Sequence, residues 1–414
     1  MDALPTETPA TELAPRDRRN LLLLTACQAV GQACNTMMFA ATGLSVITFY
    51  HRADLANLPV TMQHIGVMLF VFPAALLMQR VGRSIGFRVG SIFGMAGGTT
   101  AAFGLYTANF YVMCLGGLLL GYAVACLQMY RFAAAELVPF QYRAKAISWV
   151  TAGGIVAAFI GPTLVRVTHD AVMPLYVATY MGLVGLHVIV FTIMSFIRFP
   201  SVATLAASNA SAAALEPPRP LLVIASQPRF IASVLAGMVA FGTMSFLMSA
   251  SPLAIVGCGL PHAEAHWVIF VHVLGMFVPS LFTGHLINRF GVTTVMAWGI
   301  VLLLAGVAAA LGGLSEFNFR LALTLNGVGW NLLFVGATTL VTTCYRPSER
   351  GKAQALNDFL VFSTTATSSF MAGYLQDRWG WFPVNWLSLF LMCIAVGAVI
   401  WLRIQRAQVS PATP

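Results

Sequence analysis

Two short stretches with the same pattern decide the fold. The first reads Ala75-Leu-Leu-Met-Gln79-Arg80-Val-Gly82-Arg83, and the second, 209 residues later, reads Gly284-His-Leu-Ile-Asn288-Arg289-Phe-Gly291. Each stretch follows a long apolar segment and closes it with an amide side chain, an arginine and a glycine. This repetition predicts that the chain is built from two related halves.

Three further pairs of stretches recur at nearly the same offset. They are Thr36-Met37-Met38-Phe39 with Thr243-Met244-Ser245-Phe246 (offset 207), His64-Ile-Gly-Val-Met68 with His272-Val-Leu-Gly-Met276 (208), and Arg143-Ala-Lys145-Ala146 with Arg350-Gly-Lys352-Ala353 (207). Four matches at a nearly constant spacing indicate an internal duplication. Parallel repeats with a substrate path between them are an architecture of transporters.

The composition is that of a protein that crosses a membrane many times. Of the 414 residues, 58% are hydrophobic and only 8% are charged, against about 25% charged in an average soluble domain. Apolar runs long enough to cross a bilayer, about 20 residues each, recur along the chain. The net charge of +9 lies in short loops, so we expect no nucleic-acid partner. No phosphate-binding loop or HExxH motif is present, so we do not expect an enzyme.

Twelve spans and both termini in the cytoplasm are predicted. The spans are placed at 20–49, 58–79, 86–107, 109–135, 145–167, 173–197, 229–256, 264–287, 292–314, 317–343, 353–376 and 379–403. With this topology 17 of the 22 basic residues fall in the tails or cytoplasmic loops, as the positive-inside rule requires. Two six-helix bundles are expected at 20–197 and 229–403, with a disordered tail at 1–19, a linker at 198–228 and a tail at 404–414.

The loop after the second span resembles a motif of the major facilitator superfamily, GxxxD(R/K)xGR. Gln79, Arg80, Gly82 and Arg83 match its end, and Asn288, Arg289 and Gly291 match a second copy. The usual aspartate is replaced by an amide in both copies, which puts the charge-gated loop contact of this family in doubt. The resemblance implies an all-α fold of twelve transmembrane helices in two pseudo-symmetric bundles, and secondary transport.

A hairpin of two apolar helices, from about Pro228 to His285, carries the candidate site. Met244 and Met248 are spaced i, i+4 on the first helix, as are His272 and Met276 on the second, so each pair shares a face. Their distances from the turn place the four side chains at matching depths. Three thioethers and one imidazole without a carboxylate are a ligand set for monovalent copper.

This hairpin resembles the copper-importing, CcoA-like branch of the superfamily. In that branch the four matching side chains are the metal ligands, and the copper supplies cytochrome oxidase assembly. The resemblance therefore implies a copper importer, symporter or uniporter, of a bacterial inner membrane. The branch also contains riboflavin importers, so riboflavin or another small organic molecule is the alternative. That alternative predicts a pocket in which Trp149, Trp330 and nearby phenylalanines stack on a ring.

The first half contains counterparts of the hairpin residues. Met37, Met38, His64 and Met68, with Cys34 one turn before Met38, are the candidates for a second soft site or a second wall of the same path. The alternative, which we favour, is symmetry left over from duplication without a bound metal.

A few charged residues lie inside or at the ends of spans. Asp358 in span eleven, with Arg131 and Glu136 near the end of span four, are candidates for coupling or gating, since a carboxylate in hydrocarbon must face a cavity or pair with a base. We expect no tightly bound cofactor, with copper as the transported substrate. The expected partners are that substrate, or a small molecule in its place, the lipid bilayer and a copper chaperone, and we expect a monomer.

Overall fold

The computed structural model describes residues 13–50, 55, 58–199 and 218–409. Fifteen α-helices run through these ranges: α1 Pro15–Tyr50, α2 Leu58–Val81, α3 Arg83–Tyr106, α4 Phe110–Glu136, α5 Arg143–Ala152, α6 Gly154–Thr168, α7 Val177–Phe196, α8 Leu221–Ala225, α9 Pro228–Gly257, α10 His262–Phe277, α11 Ser280–Phe290, α12 Val292–Leu311, α13 Glu316–Val341, α14 Arg350–Trp379 and α15 Trp381–Val409. Short 3₁₀ turns precede α5 and α14. No strand is present in the described residues.

These helices form the twelve predicted spans. Span five consists of α5 and α6, span eight consists of α10 and α11, and α8 is a short helix before span seven. Ten segments are long and apolar enough to cross a membrane. The other two spans, α3 and α14, are as long but carry many Gly, Ser and Thr residues, which lowers their mean hydropathy.

The chain ends of the described region differ from prediction. Residues 15–19, expected in a disordered tail, form the first turn of α1, because proline is well tolerated at the first helical position. Helix α15 continues to Val409, into the predicted tail at 404–414. Residues 1–12, 200–217 and 410–414, which hold most of the predicted tails and linker, lie outside the described residues.

Spans five and eight are both interrupted near the middle. Span five bends at Gly153, whose N–H bonds to Val150 O in place of an α-helical partner. Span eight breaks at Val278 and Pro279, since a proline has no N–H to donate to the preceding turn. Each break frees backbone groups that other side chains must satisfy.

The two loops that decided the fold have the same backbone. Gly82 has φ 90° and ψ 161°, and Gly291 has φ 83° and ψ 150°. This left-handed conformation strains residues with a Cβ, which explains why both copies of the loop keep glycine there. The duplication inferred from sequence therefore extends to the local backbone.

Helices pack within two groups and the groups meet at one face. Spans one to six pack together in the first group, and spans seven to twelve do so in the second. Between the groups, span two packs on span eleven and span five on span eight. The loops at Gly82, Gln141, Gly291 and Glu349 lie at the end of the molecule where these contacts concentrate. We call this end the basic face, because most Lys and Arg residues flank it.

Candidate functional site

The predicted soft-ligand residues of spans seven and eight lie at the core of the second group. Met244 and Met276 are buried members of one large hydrophobic cluster, and Met248 is half-buried against it. His272 is completely buried, and its Nδ1 lies 2.7 Å from Leu323 O of span ten. The structure thus places the methionines around a shared core and turns the imidazole toward span ten.

The hydrogen bond of His272 fixes its tautomer. The acceptor at Nδ1 is a carbonyl oxygen, so Nδ1 carries the proton and Nε2 has a free lone pair. Nε2 is buried and has no hydrogen-bond partner. A histidine held through one nitrogen with the other available is the usual arrangement of a metal ligand. In the part of the chain that the structure describes, no three His, Cys, Asp or Glu side chains converge. A metal at His272 would therefore depend on methionine sulfur.

The first-half counterparts are divided between two places. Cys34, Met37 and Met38 are buried in a cluster that includes residues of span six, and the Cys34 thiol points to Leu183 O at 3.9 Å. Cys34 and Met38 also border a cavity of about 20 Å³, which is room for one water molecule.

His64 and Met68 are not among the residues that line this cavity. The ring of His64 lies against Phe39, with 5.9 Å between centroids, and Met68 is half-buried. The second soft site therefore stays a prediction whose members do not share one cavity.

An aromatic cluster surrounds the same core as Met244 and Met276. It consists of Phe241, Phe277, Trp330, Phe334 and Phe362. The ring of Phe241 lies 5.2 Å from Trp330, 4.8 Å from Phe334 and 5.3 Å from Phe362, and Trp330 stacks on Phe334 at 4.9 Å. The indole Nε1 of Trp330 is buried without a partner.

Of the two tryptophans expected to stack on a ring-shaped substrate, the structure places only Trp330 in this cluster. Trp149 is 37% exposed and lies outside it. The first half has a related pair, because Phe70 and Tyr122, at offsets of 207 and 208 from Phe277 and Trp330, are 5.5 Å apart. Sequence reasoning missed most of the cluster, since the chain has 29 phenylalanines and no spacing singles these out.

A buried ion pair joins the two groups beside the aromatic cluster. Arg131 Nη2 of span four lies 2.5 Å from Asp358 Oδ1 of span eleven, and the side chains are 4% and 0% exposed. The guanidinium also lies 4.6 Å from the ring centroids of both Phe132 and Phe334. Asn357 Nδ2 donates a further hydrogen bond to Asp358 Oδ1 at 2.9 Å. Asp358, whose carboxylate was expected to face a cavity or to pair with a base, pairs with Arg131.

The loop motif forms a second charged contact at the basic face. Arg83 donates to Glu136 at 2.7 and 3.2 Å and to Gln354 of span eleven at 2.8 Å. Arg350 of the second group lies 3.4 Å from Glu136. Glu136 is therefore shared between arginines of both groups, and this contact persists without the aspartate that the motif usually has.

The amides that replace that aspartate make neutral contacts instead. Gln79 lies so close to Gly351 that a Cβ built on Gly351 would be 1.8 Å from its Nε2. In the second copy, Asn288 Nδ2 donates to Gln141 O at 3.2 Å. Arg80 is exposed, and the guanidinium of Arg289 lies over the ring of Phe290 at 5.2 Å. The two motif loops thus both reach across to the other group.

Comparisons with known proteins agree with this architecture. The chain is 38% identical to the riboflavin transporter RfnT of Brucella anthropi over 92% of its own length and 95% of that protein. The fold is shared with the solved structure of FucP in the outward conformation, at a TM-score of 0.69 and 16% identity, covering 95% of this chain and 99% of FucP. The proton:xylose symporter XylE gives a TM-score of 0.74 at 13% identity, over 93% and 95% of the two chains.

A family model gives the same answer over nearly the whole length. The model of the Major Facilitator Superfamily matches residues 23–256 and 234–414. The sequence repeat, the two helix groups and these matches lead to one conclusion: this chain belongs to the Major Facilitator Superfamily, a family of membrane transporters.

Proposed function

We propose that this transporter imports riboflavin or a closely related planar heterocycle. The observation that carries the proposal is the aromatic cluster of Phe241, Phe277, Trp330, Phe334 and Phe362, which lies beside the contact between the two groups. Planar rings bind well between aromatic side chains, with a few polar groups that fix their orientation. The free indole N–H of Trp330 is one such donor. The 38% identity to a riboflavin transporter supports the same substrate class.

Transport would follow alternating access. The contacts between the groups concentrate at the basic face, so this state is closed there. By the positive-inside rule the basic face is cytoplasmic, so a state closed there would be outward-facing. The location we propose is the bacterial inner membrane. Substrate would enter between the groups, bind at the aromatic cluster and leave when the basic face opens. The Arg131–Asp358 pair, whose guanidinium lies over the ring of Phe334, is the candidate for coupling to a proton.

Copper import is the second candidate, and one observation favours it. The free, buried Nε2 of His272 is oriented by a backbone hydrogen bond and lies in a helix that also carries Met276. Thioether and imidazole ligands suit monovalent copper. In that case a copper chaperone would receive the metal on the cytoplasmic side.

Uptake by cells that lack their own importers tests both candidates. Labelled riboflavin and radioactive copper are measured in parallel for the wild type, Trp330→Ala and His272→Ala. We expect riboflavin uptake that Trp330→Ala lowers at least tenfold. Trp149→Ala, a tryptophan outside the cluster, is the matched control and should keep wild-type uptake.

Copper uptake has its own control on the same span. His285 is exposed near the end of span eight, so His285→Ala should leave any copper uptake unchanged. Copper uptake abolished by His272→Ala, with no riboflavin signal, would replace the flavin proposal by the copper one. If neither riboflavin nor copper enters above the level of cells without the transporter, both proposed substrates are contradicted.

A further inference from the structure

A hydroxyl of one group enters the backbone of the other at the basic face. The hydroxyl of Ser148 in span five donates a hydrogen bond to Ser280 O of span eight. The hydroxyl oxygen of Ser148 also accepts a hydrogen bond from the N–H of Gly284, at 3.0 Å. Ser280 O and Gly284 N are an i, i+4 pair, the two groups that make one α-helical hydrogen bond. All three residues are buried. Ser148 therefore bonds to both ends of one helical rung.

Spans five and eight approach each other so closely at Gly284 that only glycine fits there. A Cβ built on Gly284 would lie 2.7 Å from Lys145 Cα and 2.9 Å from Ala144 O. Higher in the same interface, a Cβ on Gly154 would lie 2.4 Å from the ring of Phe277. Spans five and eight thus meet through backbone at Gly284 and through the Phe277 ring at Gly154, and the Ser148 hydroxyl is held at this interface by the packing around it.

The rung that Ser148 contacts is next to the break in span eight. Ser280 directly follows Pro279, and its hydroxyl accepts a hydrogen bond from Asn331 Nδ2 of span ten. The same Nδ2 lies 2.6 Å from Met276 O, on the other side of the break, and Thr283 donates to Asn331 Oδ1 at 2.7 Å. One amide therefore joins the residue that Ser148 holds to the turn that carries Met276.

We propose that Ser148 is a latch of the basic face, and that Asn331 couples this latch to the substrate site. While the face is closed, Ser148 shares the Ser280–Gly284 rung and holds the lower half of span eight against span five. When the groups separate, the two backbone groups bond only to each other, as in an ordinary helix. The hydroxyl can leave without orphaning a backbone group, so the latch releases at little cost. Asn331 transmits the change across the break to Met276.

The latch requires only that the basic face opens during transport, whatever the substrate, whereas its coupling to the substrate site rests on the proposed function, which places that site in the core that Met276 shares. Its test therefore uses accessibility rather than uptake. Of the seven cysteines, Cys258 and Cys393 are exposed, so both are replaced by serine. A reporter is introduced as Ala135→Cys, since Ala135 is 3% exposed in a cluster with residues of both groups, such as Ile147 of the first and Ile287 of the second. The rate of maleimide labelling of the purified protein then reports opening.

Ser148→Ala removes both hydrogen bonds and is expected to raise the labelling rate of the reporter about fivefold or more. Thr151→Ala is the matched control: Thr151 is one turn further along α5, is also buried, and its hydroxyl donates a hydrogen bond at 2.8 Å to Ile147 O of its own helix. This control should stay within twofold of the parent. Arg83→Ala, which removes the charged contact, should raise labelling and shows that the reporter responds.

The coupling through Asn331 is tested by a double-mutant cycle with Thr283→Val, which removes a hydrogen bond to that amide. If the latch and the amide act together, Thr283→Val has less than half its own effect once Ser148→Ala is present. Labelling in Ser148→Ala that stays within twofold of the parent would overturn the latch. Effects of the two substitutions that simply multiply would overturn the coupling.

Discussion

The buried pair of Arg131 and Asp358 allows a quantitative test of how the two groups are held together. Asp358→Asn keeps the shape of the side chain but leaves the Arg131 charge without its counter-ion, at 4% exposure. Removing one partner of a buried pair costs about 3–5 kcal/mol. Arg131 keeps its contacts with the rings of Phe132 and Phe334 and its 2.9 Å hydrogen bond to Gln128, so we expect the lower limit, about 3 kcal/mol.

Removing Arg131 instead of Asp358 should lower the free energy of unfolding by less. In Arg131→Met the remaining carboxylate can become neutral by binding a proton, whereas a guanidinium cannot lose one. The double variant Arg131→Met/Asp358→Leu removes both charges and should recover most of the stability of the wild type. It should nevertheless fail to transport if the pair takes part in coupling. The order of stability is therefore wild type and double variant above Arg131→Met, with Asp358→Asn lowest.

Thermal unfolding of the purified protein in detergent measures this order, and Arg320→Met is the control. Arg320 pairs with Glu264 within the second group and is 44% exposed, and the carboxylate left behind can bind a proton, so its loss should lower the melting temperature less than Asp358→Asn does. A melting temperature for Asp358→Asn no lower than that of Arg320→Met would refute the argument. So would a double variant less stable than either single one.

Three further predictions follow from other contacts. Gly284→Ala should destabilise the closed basic face by about 1–3 kcal/mol, because its Cβ would meet the backbone of span five at 2.7 Å from Lys145 Cα, whereas Gly185→Ala, with nothing within 4 Å, should be neutral in the same melting assay. Burial tends to raise the pKa of Glu349, but hydrogen bonds from Arg219 and from the Arg346 N–H outweigh it and lower that pKa to about 2. This group's contribution to stability is thus complete above about pH 4.5 and lost as the pH falls through 2, so Glu349→Gln should lower the melting temperature equally at pH 6 and pH 8. Cys258, exposed in the turn between spans seven and eight, should react with a membrane-impermeant maleimide in intact cells, and labelling only after lysis would reverse the predicted orientation.

The large-scale architecture could be predicted because its signals are local in sequence. The length of each apolar run defines a span, and the repeated amide-arginine-glycine pattern of Gln79 and Asn288 marks the two halves. The positions of single polar residues in apolar spans also carried information. Asp358 and Arg131 both stand out in the sequence as charges inside spans, and the structure pairs them. The family and fold expected from these patterns are confirmed.

Which side chains form the candidate site depends on which face of each helix turns inward, and the sequence does not show that. Phe241, Phe277 and Trp330 are far apart along the chain, so their cluster emerges only from helix packing. His272 shares a helical face with Met276 in the sequence pattern, yet its Nδ1 bonds to span ten. The sequence alone favours copper over riboflavin because the pattern of soft ligands is short and visible, whereas an aromatic pocket has no sequence signature.

The two motif loops have the same backbone but not the same chemistry. Span three begins with Arg83 after Gly82, while span nine begins with Val292 after Gly291. Span eleven is consequently held to spans three and four by charged contacts. The contacts between spans five and eight in the described residues are instead neutral hydrogen bonds, close backbone approach and aromatic packing. Separating a buried ion pair is costly unless water reaches both charges. Separating the Ser148 hydroxyl from span eight costs less, because the two backbone groups of the helix can bond to each other. The duplicated halves therefore form a gate with one strong side and one weak side, and opening would begin at the side of spans five and eight.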